Sequence, residues 1–344
     1  MNYSIEYLPA NQLKSIEVEW KQLESGEDMT IFQSYEWNQL LLEKYVPADT
    51  KNYVSIYAII RKSNEICLIA PLWITKRRFN LVNKKGAFLL GVDSYSDYLN
   101  VLYRVFDPVA FDYLISNVQK KYRIKYFYFS HINEKTATYE HITKHYILYK
   151  DEKEPCVGIQ IPLSIDEYLK LLSKHSRQNL RTANNRINKD GKSIIFDMDD
   201  THIDKDDCLR IRESKLNKEY KKMSQYNVYK YRLKNRFQFI FPRFSPLKCY
   251  VRSKIMTAKI DNNLCAFFHY VYDDYHNKIV IISAGTDLTY ARYSPGMLLL
   301  YNFVKDVVEG GSYKEVDLTR GDEPYKFALG GYLSFNHELK FCCK

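Results

Sequence analysis

Asp317-Leu318-Thr319-Arg320-Gly321-Asp322-Glu323-Pro324-Tyr325-Lys326 gathers proton donors and acceptors at one turn of the chain. Carboxylates, a guanidinium, a phenol and an ammonium follow an apolar run that reads as a strand, with Gly321 to turn on. Such a set can move protons and stabilise charge. A solvated surface turn contains the same residue types, so the local pattern supports both readings equally. A second stretch, Ser294-Pro295-Gly296-Met297, heads an apolar run over residues 298–308. Serine fits an N-cap and proline the first helical position. Gly296 then falls in the first turn, where N–H groups lack helical acceptors and the helix dipole is positive. Without a Cβ there, a phosphate can approach the backbone closely. Alternatively, the glycine relieves packing against a neighbouring strand. Its place directly after the strand-like KIVIISAG favours a ligand, because crevices of α/β sheets open at strand ends.

Basic residues form a third group. Lys174, Arg177, Arg181, Arg186, Lys189 and Lys192 oppose a single carboxylate, Asp190, within one helical stretch. Arg177 and Arg181 stand four apart and share a helix face. That face suits an anionic acceptor, a phosphate or RNA, and it also suits plain solvation. His269, inside the apolar AFFHYVY, reads as a base or, more simply, as a core histidine. No His/Cys/Asp cluster has metal-ligand spacing, and neither a G-x-S-x-G elbow nor a phosphate-binding P-loop is present.

The elements that must position these residues come in two rounds. Helical patterns over 15–24 and 35–45 open the chain. Strand-like runs follow over 54–60, 66–74 and 87–91, the first two joined by a hairpin-sized turn at 61–65. Asp107-Pro108 caps a helix bearing Val109, Phe111, Leu114, Ile115 and Val118, which leads to a strand over 124–132. Polar residues 150–155 are the expected linker, separating domains at 1–150 and 151–344. The second round opens with one long helix over 165–189, with a Ser164-x-x-Glu167 capping box and Gly191 as its stop. A charged helix over 206–225 follows, then strands over 247–255, 264–272 and 278–285. The apolar helix behind Gly296 and a strand over 314–320 complete it. Gly91-Val92-Asp93 with Tyr95 and Tyr98, and Gly285-Thr286-Asp287 with Tyr290 and Tyr293, occupy equivalent places in the two rounds. The order implies a duplicated α/β unit, with an antiparallel meander joined to a βαβ-like crossover.

Composition sets the bounds. The 344 residues suit two domains of roughly 150–170 each. A hydrophobic fraction of 46% excludes a disordered chain, and no apolar run approaches the length of a membrane span. The N-terminus lacks the features of a secretion signal, and seven cysteines without regular spacing read as reduced thiols, so a cytoplasmic protein is expected. A net charge of +10 favours an anionic partner. Nucleic acid is not expected as the principal one, because no recognition-fold signature accompanies the charge.

Three motifs, LSKHSRQNLRTANNRI, ARYSPGMLLLYNFV and VDLTRGDEPYK, together resemble the GNAT-superfamily acyltransferases. The closest group is the FemAB-like, or cellulose-biosynthesis (CelD-like), acetyltransferases, built from two tandem GNAT-type domains. The resemblance spans residues 164–331, with looser matches in the first half at FQSYEWNQLL, IAPLWI and GVDSYSDYL. It implies a first, degenerate domain and a second that holds the acyl donor. A single glycine stands where the R/Q-x-x-G-x-G/A loop of typical members has two. By resemblance, an acetyl-CoA or other acyl-CoA co-substrate would lie along Ser283, Ala284 and Gly285, with its pyrophosphate on Ser294, Pro295, Gly296 and Met297. No metal is implied. Tyr325 would be the acid for the departing thiolate, Glu323 or Asp317 the base for the attacking ammonium, and an N–H near Ser283 or Ala284 the oxyanion donor. Arg177, Arg181, Arg320 and Lys326 would contact the substrate. The implied activity is N-acyl transfer to an amino group of a sugar or surface-glycan precursor. The alternatives are an aminoacyl-tRNA-dependent transferase of cell-wall bridge formation and a non-catalytic ligand-binding relative.

Overall fold

The computed structural model describes residues 2–44, 53–75, 85–91, 96–201, 203, 206–208, 210–211, 224–225 and 250–343. Two compact units emerge, Met1–Cys156 with Ser334–Lys344, and Val157–Leu333.

In the first unit, β1 (Tyr3–Pro9), β2 (Tyr53–Lys62), β3 (Glu65–Thr75) and β4 (Gly86–Leu89) pair antiparallel in that order. Helices α1 (Glu17–Leu23) and α2 (Tyr35–Lys44) lie between β1 and β2 in the chain. The β2–β3 turn uses Ser63 and Asn64, both left-handed, as a two-residue hairpin requires. Helix α3 (Pro108–Tyr122) carries the chain to β5 (Phe127–Asn133), which runs parallel to β4. Asp107 caps α3, accepting the N–H groups of Val109 and Ala110 at 3.1 Å each. Phe111, Leu114, Ile115 and Val118 enter the core as expected, whereas Val109 points to solvent. After α4 (Ala137–His145) comes β6 (Ile147–Gln160).

The second unit repeats the strand order, with two helices placed before its first strand. Helices α5 (Ile165–Leu171) and α6 (Lys174–Lys189) precede β7 (Ile194–Asp197), β8 (Ser253–Ile260), β9 (Asn263–Asp273) and β10 (Lys278–Thr286), which pair antiparallel in sequence. Helix α7 (Pro295–Gly310) crosses to β11 (Glu315–Arg320), parallel to β10, and the short α8 (Pro324–Ala328) follows. Leu298, Leu299, Phe303 and Val304 of α7 share a core with Met256, Phe268 and Ile281 of the sheet. The last strand, β12 (Tyr332–Cys342), pairs with β5.

Three expectations need correction. The long helix over 165–189 is two helices, because Leu172 and Ser173 are extended and Ser173 caps α6 through Ser176 N–H at 3.0 Å. The Ser164 box is half formed: Glu167 N–H donates to Ser164 Oγ, while the Glu167 carboxylate accepts from Leu163. Residues 150–155 are not a linker but the middle of β6, within which the chain passes from one unit to the other. Most of the expected helix over 206–225, residues 247–249 and residues 92–95 lie outside the described residues.

Candidate active site

Strands β10 and β11 carry five of the expected site residues, Ser283, Ala284 and Gly285 on the first and Asp317 and Arg320 on the second. They are in register over three pairs only, Lys278↔Glu315, Ile279↔Val316 and Val280↔Asp317. Both strands continue further, so they part towards their C-terminal ends. On its other edge β10 stays paired with β9 through Thr286, with a bulge where Ile281↔Tyr270 gives way to Ser283↔His269. The extra residue re-aims the backbone of Ser283 and Ala284. Ser283, Gly285 and Thr286 are partly exposed and Ala284 exposed.

The head of α7 stands beside this edge. Gly296 is buried, and a Cβ built on it would lie 2.5 Å from Thr286 Oγ1. The glycine therefore answers a close approach from the end of β10, as the packing reading expected. The N–H groups of Gly296 and Met297 still precede any helical acceptor. Ser294 departs from expectation. It is left-handed (φ 50°, ψ 48°) and its hydroxyl caps nothing, because the 3-10 turn Leu288–Tyr293 runs straight into the helix and the backbone must reverse there. An N-cap serine instead needs an extended backbone to reach the first-turn N–H groups. Gly285 also has a packing reason: its Cβ would lie 2.4 Å from the Phe267 ring and 2.9 Å from Ile211.

A clasp missed in the sequence orients the turn into α7. Asp190, at the end of α6, accepts from Tyr293 Oη at 2.6 Å and pairs with Arg292 at 3.1 Å. Arg186 donates to the Arg292 carbonyl at 3.0 Å. Asp287 accepts the Thr289 N–H and hydroxyl and pairs with Arg210. The aspartate of Gly285-Thr286-Asp287 was the available signal for that turn.

Past the parting of the strands lie the residues expected to act as acid and base. Asp317 is buried, and its Oδ1 accepts the Thr319 N–H at 2.7 Å. Thr319 donates its hydroxyl to the Ile281 carbonyl at 3.0 Å. Glu323 caps α8 in sequence position only, with no side-chain cap bond, and pairs with Lys326 at 3.1 Å. Burial, helped by the Glu323 charge, pushes the Tyr325 phenol well above its usual range. It stays protonated at neutral pH, and the same upward push makes it a weaker proton donor than an ordinary phenol.

The expected substrate-contact residues separate. Lys326 is buried, and its ammonium donates to the carbonyls of Leu318, Arg320 and Gly321 at 3.1, 2.8 and 3.0 Å. It holds the turn and presents nothing outward. Arg177 likewise folds back, donating to the carbonyls of Leu169 and Leu172 at 2.9 and 2.5 Å. This satisfies the exposed end of α5. Arg181 is exposed, so the two arginines do not act as a pair. Arg320 is half-buried at the end of β11. His269 is fully buried in β9 between Ile255 and Ser283 in register. Burial pushes the Cys265 thiol up to about 12, which leaves it inert as a nucleophile. Among the described residues no group of three ligating side chains could hold a metal.

Residues 174–327 match the acetyltransferase (GNAT) domain family. Over nearly the whole chain the fold is similar to three solved structures. FemX has a TM-score of 0.56 at 9% identity, covering 97% of this chain and 96% of that one. The C-terminal domain of a putative lysylphosphatidylglycerol synthetase from Agrobacterium fabrum has 0.52 at 10%, covering 96% and 92%. A tandem GNAT protein from the clavulanic acid biosynthesis pathway has 0.50 at 10%, covering 98% of both chains. No curated protein matches the sequence. Residues 174–327 of the second unit thus match a GNAT acetyltransferase domain, and the chain as a whole has a fold similar to those of FemX and the tandem GNAT protein.

Proposed function

We propose that the protein transfers an acyl group from an acyl-CoA to an amino group of a sugar or surface-glycan precursor. The parting of β10 and β11 carries this reading, because an extended donor arm can lie against Ser283–Gly285 where the ladder ends. The first turn of α7 stands at the end of the same strand and offers N–H groups to a pyrophosphate. In the reaction the amine nitrogen attacks the thioester carbonyl, and an N–H near Ser283 or Ala284 receives the developing oxyanion. The C–S bond then breaks and the thiolate takes the Tyr325 proton. Glu323 is the better base, since it is partly exposed and two residues from Tyr325, although paired with Lys326, while Asp317 is buried and engaged with the Thr319 backbone.

Aminoacyl transfer from a charged tRNA is the second reading. The FemX-like fold and a basic helix α6, with Lys174, Arg181 and Lys189 exposed, favour it. Thermal-shift titrations with acetyl-CoA, CoA and charged tRNA separate the two. At about 100 times its dissociation constant, the true donor adds about 2.7 kcal/mol of stability. Stabilisation by CoA and acetyl-CoA but not by tRNA is expected. No response to either CoA form would reject the acyl-CoA reading.

A further inference from the structure

Thr319 sits where β10 and β11 part, and its backbone is left-handed, with φ at 52°. Among the described residues it is the only β-branched side chain in that region, where such residues are genuine outliers. A threonine at the end of a strand would ordinarily continue it, since β-branched residues favour extended backbone. Here the surroundings hold it otherwise. Its hydroxyl donates to the Ile281 carbonyl of β10, and its N–H donates to Asp317. The Lys326 ammonium grips the carbonyls of Leu318, Arg320 and Gly321 on both sides of it. Backbone held against its own preference by so many bonds tends to cluster at functional sites.

We propose that Thr319 is a positioning residue that keeps β11 off β10, so that an elongated ligand takes the place beside Ser283–Gly285 that the next part of β11 would otherwise fill. The role rests on the acyl-CoA reading and deepens it: the gap is an actively held conformation of β11. Thr319 touches no reacting atom. It acts by turning the strand at residue 319 and by tying the turn to the Ile281 carbonyl. Without the hydroxyl bond a β-branched residue returns to extended backbone, and β11 extends its ladder along β10.

The test is CoA binding by calorimetry on the full chain, together with hydrogen exchange at the amides of residues 283–286. Misplacing a binding edge by about 1 Å can cost up to about 10²-fold, so Thr319→Val should weaken CoA binding by at least about tenfold. It should also slow exchange at residues 283–286, because β11 now covers them. Glycine adopts left-handed backbone at no steric cost, so Thr319→Gly should bind within about threefold of wild type. Thr319→Ser, which keeps the hydroxyl, should rescue binding. Should Thr319→Val not fold, Thr319→Ala gives the same comparison without the branched side chain, and a loss of about tenfold is again expected. Wild-type affinity in Thr319→Val or Thr319→Ala overturns the proposal. So does faster exchange at residues 283–286, which would report general loosening, and so does an equal loss in the glycine and valine variants. A wild-type protein that binds no CoA rejects the donor reading itself, and the Thr319 role falls with it.

Discussion

Gly296 faces two demands that a single substitution would confuse. A Cβ there meets Thr286 Oγ1 at 2.5 Å, and the same Cβ would stand over the first-turn N–H groups offered to a phosphate. Gly296→Ala should lose about 1–3 kcal/mol, the usual cost of overpacking. Removing the hydroxyl as well, in Gly296→Ala/Thr286→Ala, should recover most of that loss in a denaturation experiment, since the two residues couple directly. Affinity for CoA should stay low in the double variant, because the methyl still blocks the approach. Recovery of both would make Gly296 a packing residue only. The sequence alone could not separate these demands, as Thr286 lies ten positions away and faces the glycine only through the turn between strand and helix. Lys326 and Arg177 escaped for a related reason. A charged side chain in a turn reads the same whether it points to a ligand or back to carbonyls of its own backbone.

Elements were legible where one physical signal dominated. Apolar runs placed β2, β3, β9 and β10 to within a residue or two, and Asp107-Pro108 marked the start of α3. The signal failed where two elements share a face. Leu169 and Leu172 continue the apolar period of α6 backwards, so the break at Leu172–Ser173 is invisible to periodicity. Residues 150–155 failed oppositely, since their polar side chains hide a strand, the middle of β6. The cap of α3 yields a prediction at this scale. Burial alone would raise the Asp107 carboxyl, but bonds from Lys62, Tyr3 and the Ala110 N–H hold it below the usual carboxylate range. Lys62 Nζ and Tyr3 Oη each lie 2.8 Å away. Asp107→Ala should cost about 1–2 kcal/mol, mostly the lost cap, since the partly exposed ion pair adds little. A carboxyl with a depressed folded pKa contributes stability above its unfolded value of about 3.9 and loses it as pH falls through the folded value. Asp107→Asn keeps a capping oxygen and does not titrate. Its deficit against wild type in urea denaturation should therefore shrink between pH 7 and pH 3, and a constant deficit would mean that the charge does nothing.

At the scale of the chain, the repeated order of elements already announced two α/β units, and the structure has the same strand order in each, β1 to β5 and β7 to β11. The sixth strand of each was not legible. The second unit takes the end of β6, and the first unit takes β12 from beyond the whole of the second. No local pattern carries that information, because β12 reads as an ordinary strand wherever it pairs. The consequence is energetic. Phe341 of β12 is fully buried in the first unit's core, with ring centroids 5.4 Å from Phe127 and 5.1 Å from Phe129. Leu339 is buried beside it. The first unit cannot close its core until β12 has been made and has returned to β5, about 200 residues further along, which makes its folding non-local and slow by the contact-order rule. Phe341→Ala should cost about 3–5 kcal/mol. The loss should appear as faster hydrogen exchange at the amides of β5, the strand that β12 covers. Refolding should slow only if β12 docks before the rate-limiting step; faster unfolding with an unchanged folding rate would instead place docking last. Unchanged β5 exchange in Phe341→Ala would show that β12 is an ornament to the first unit rather than its closing strand.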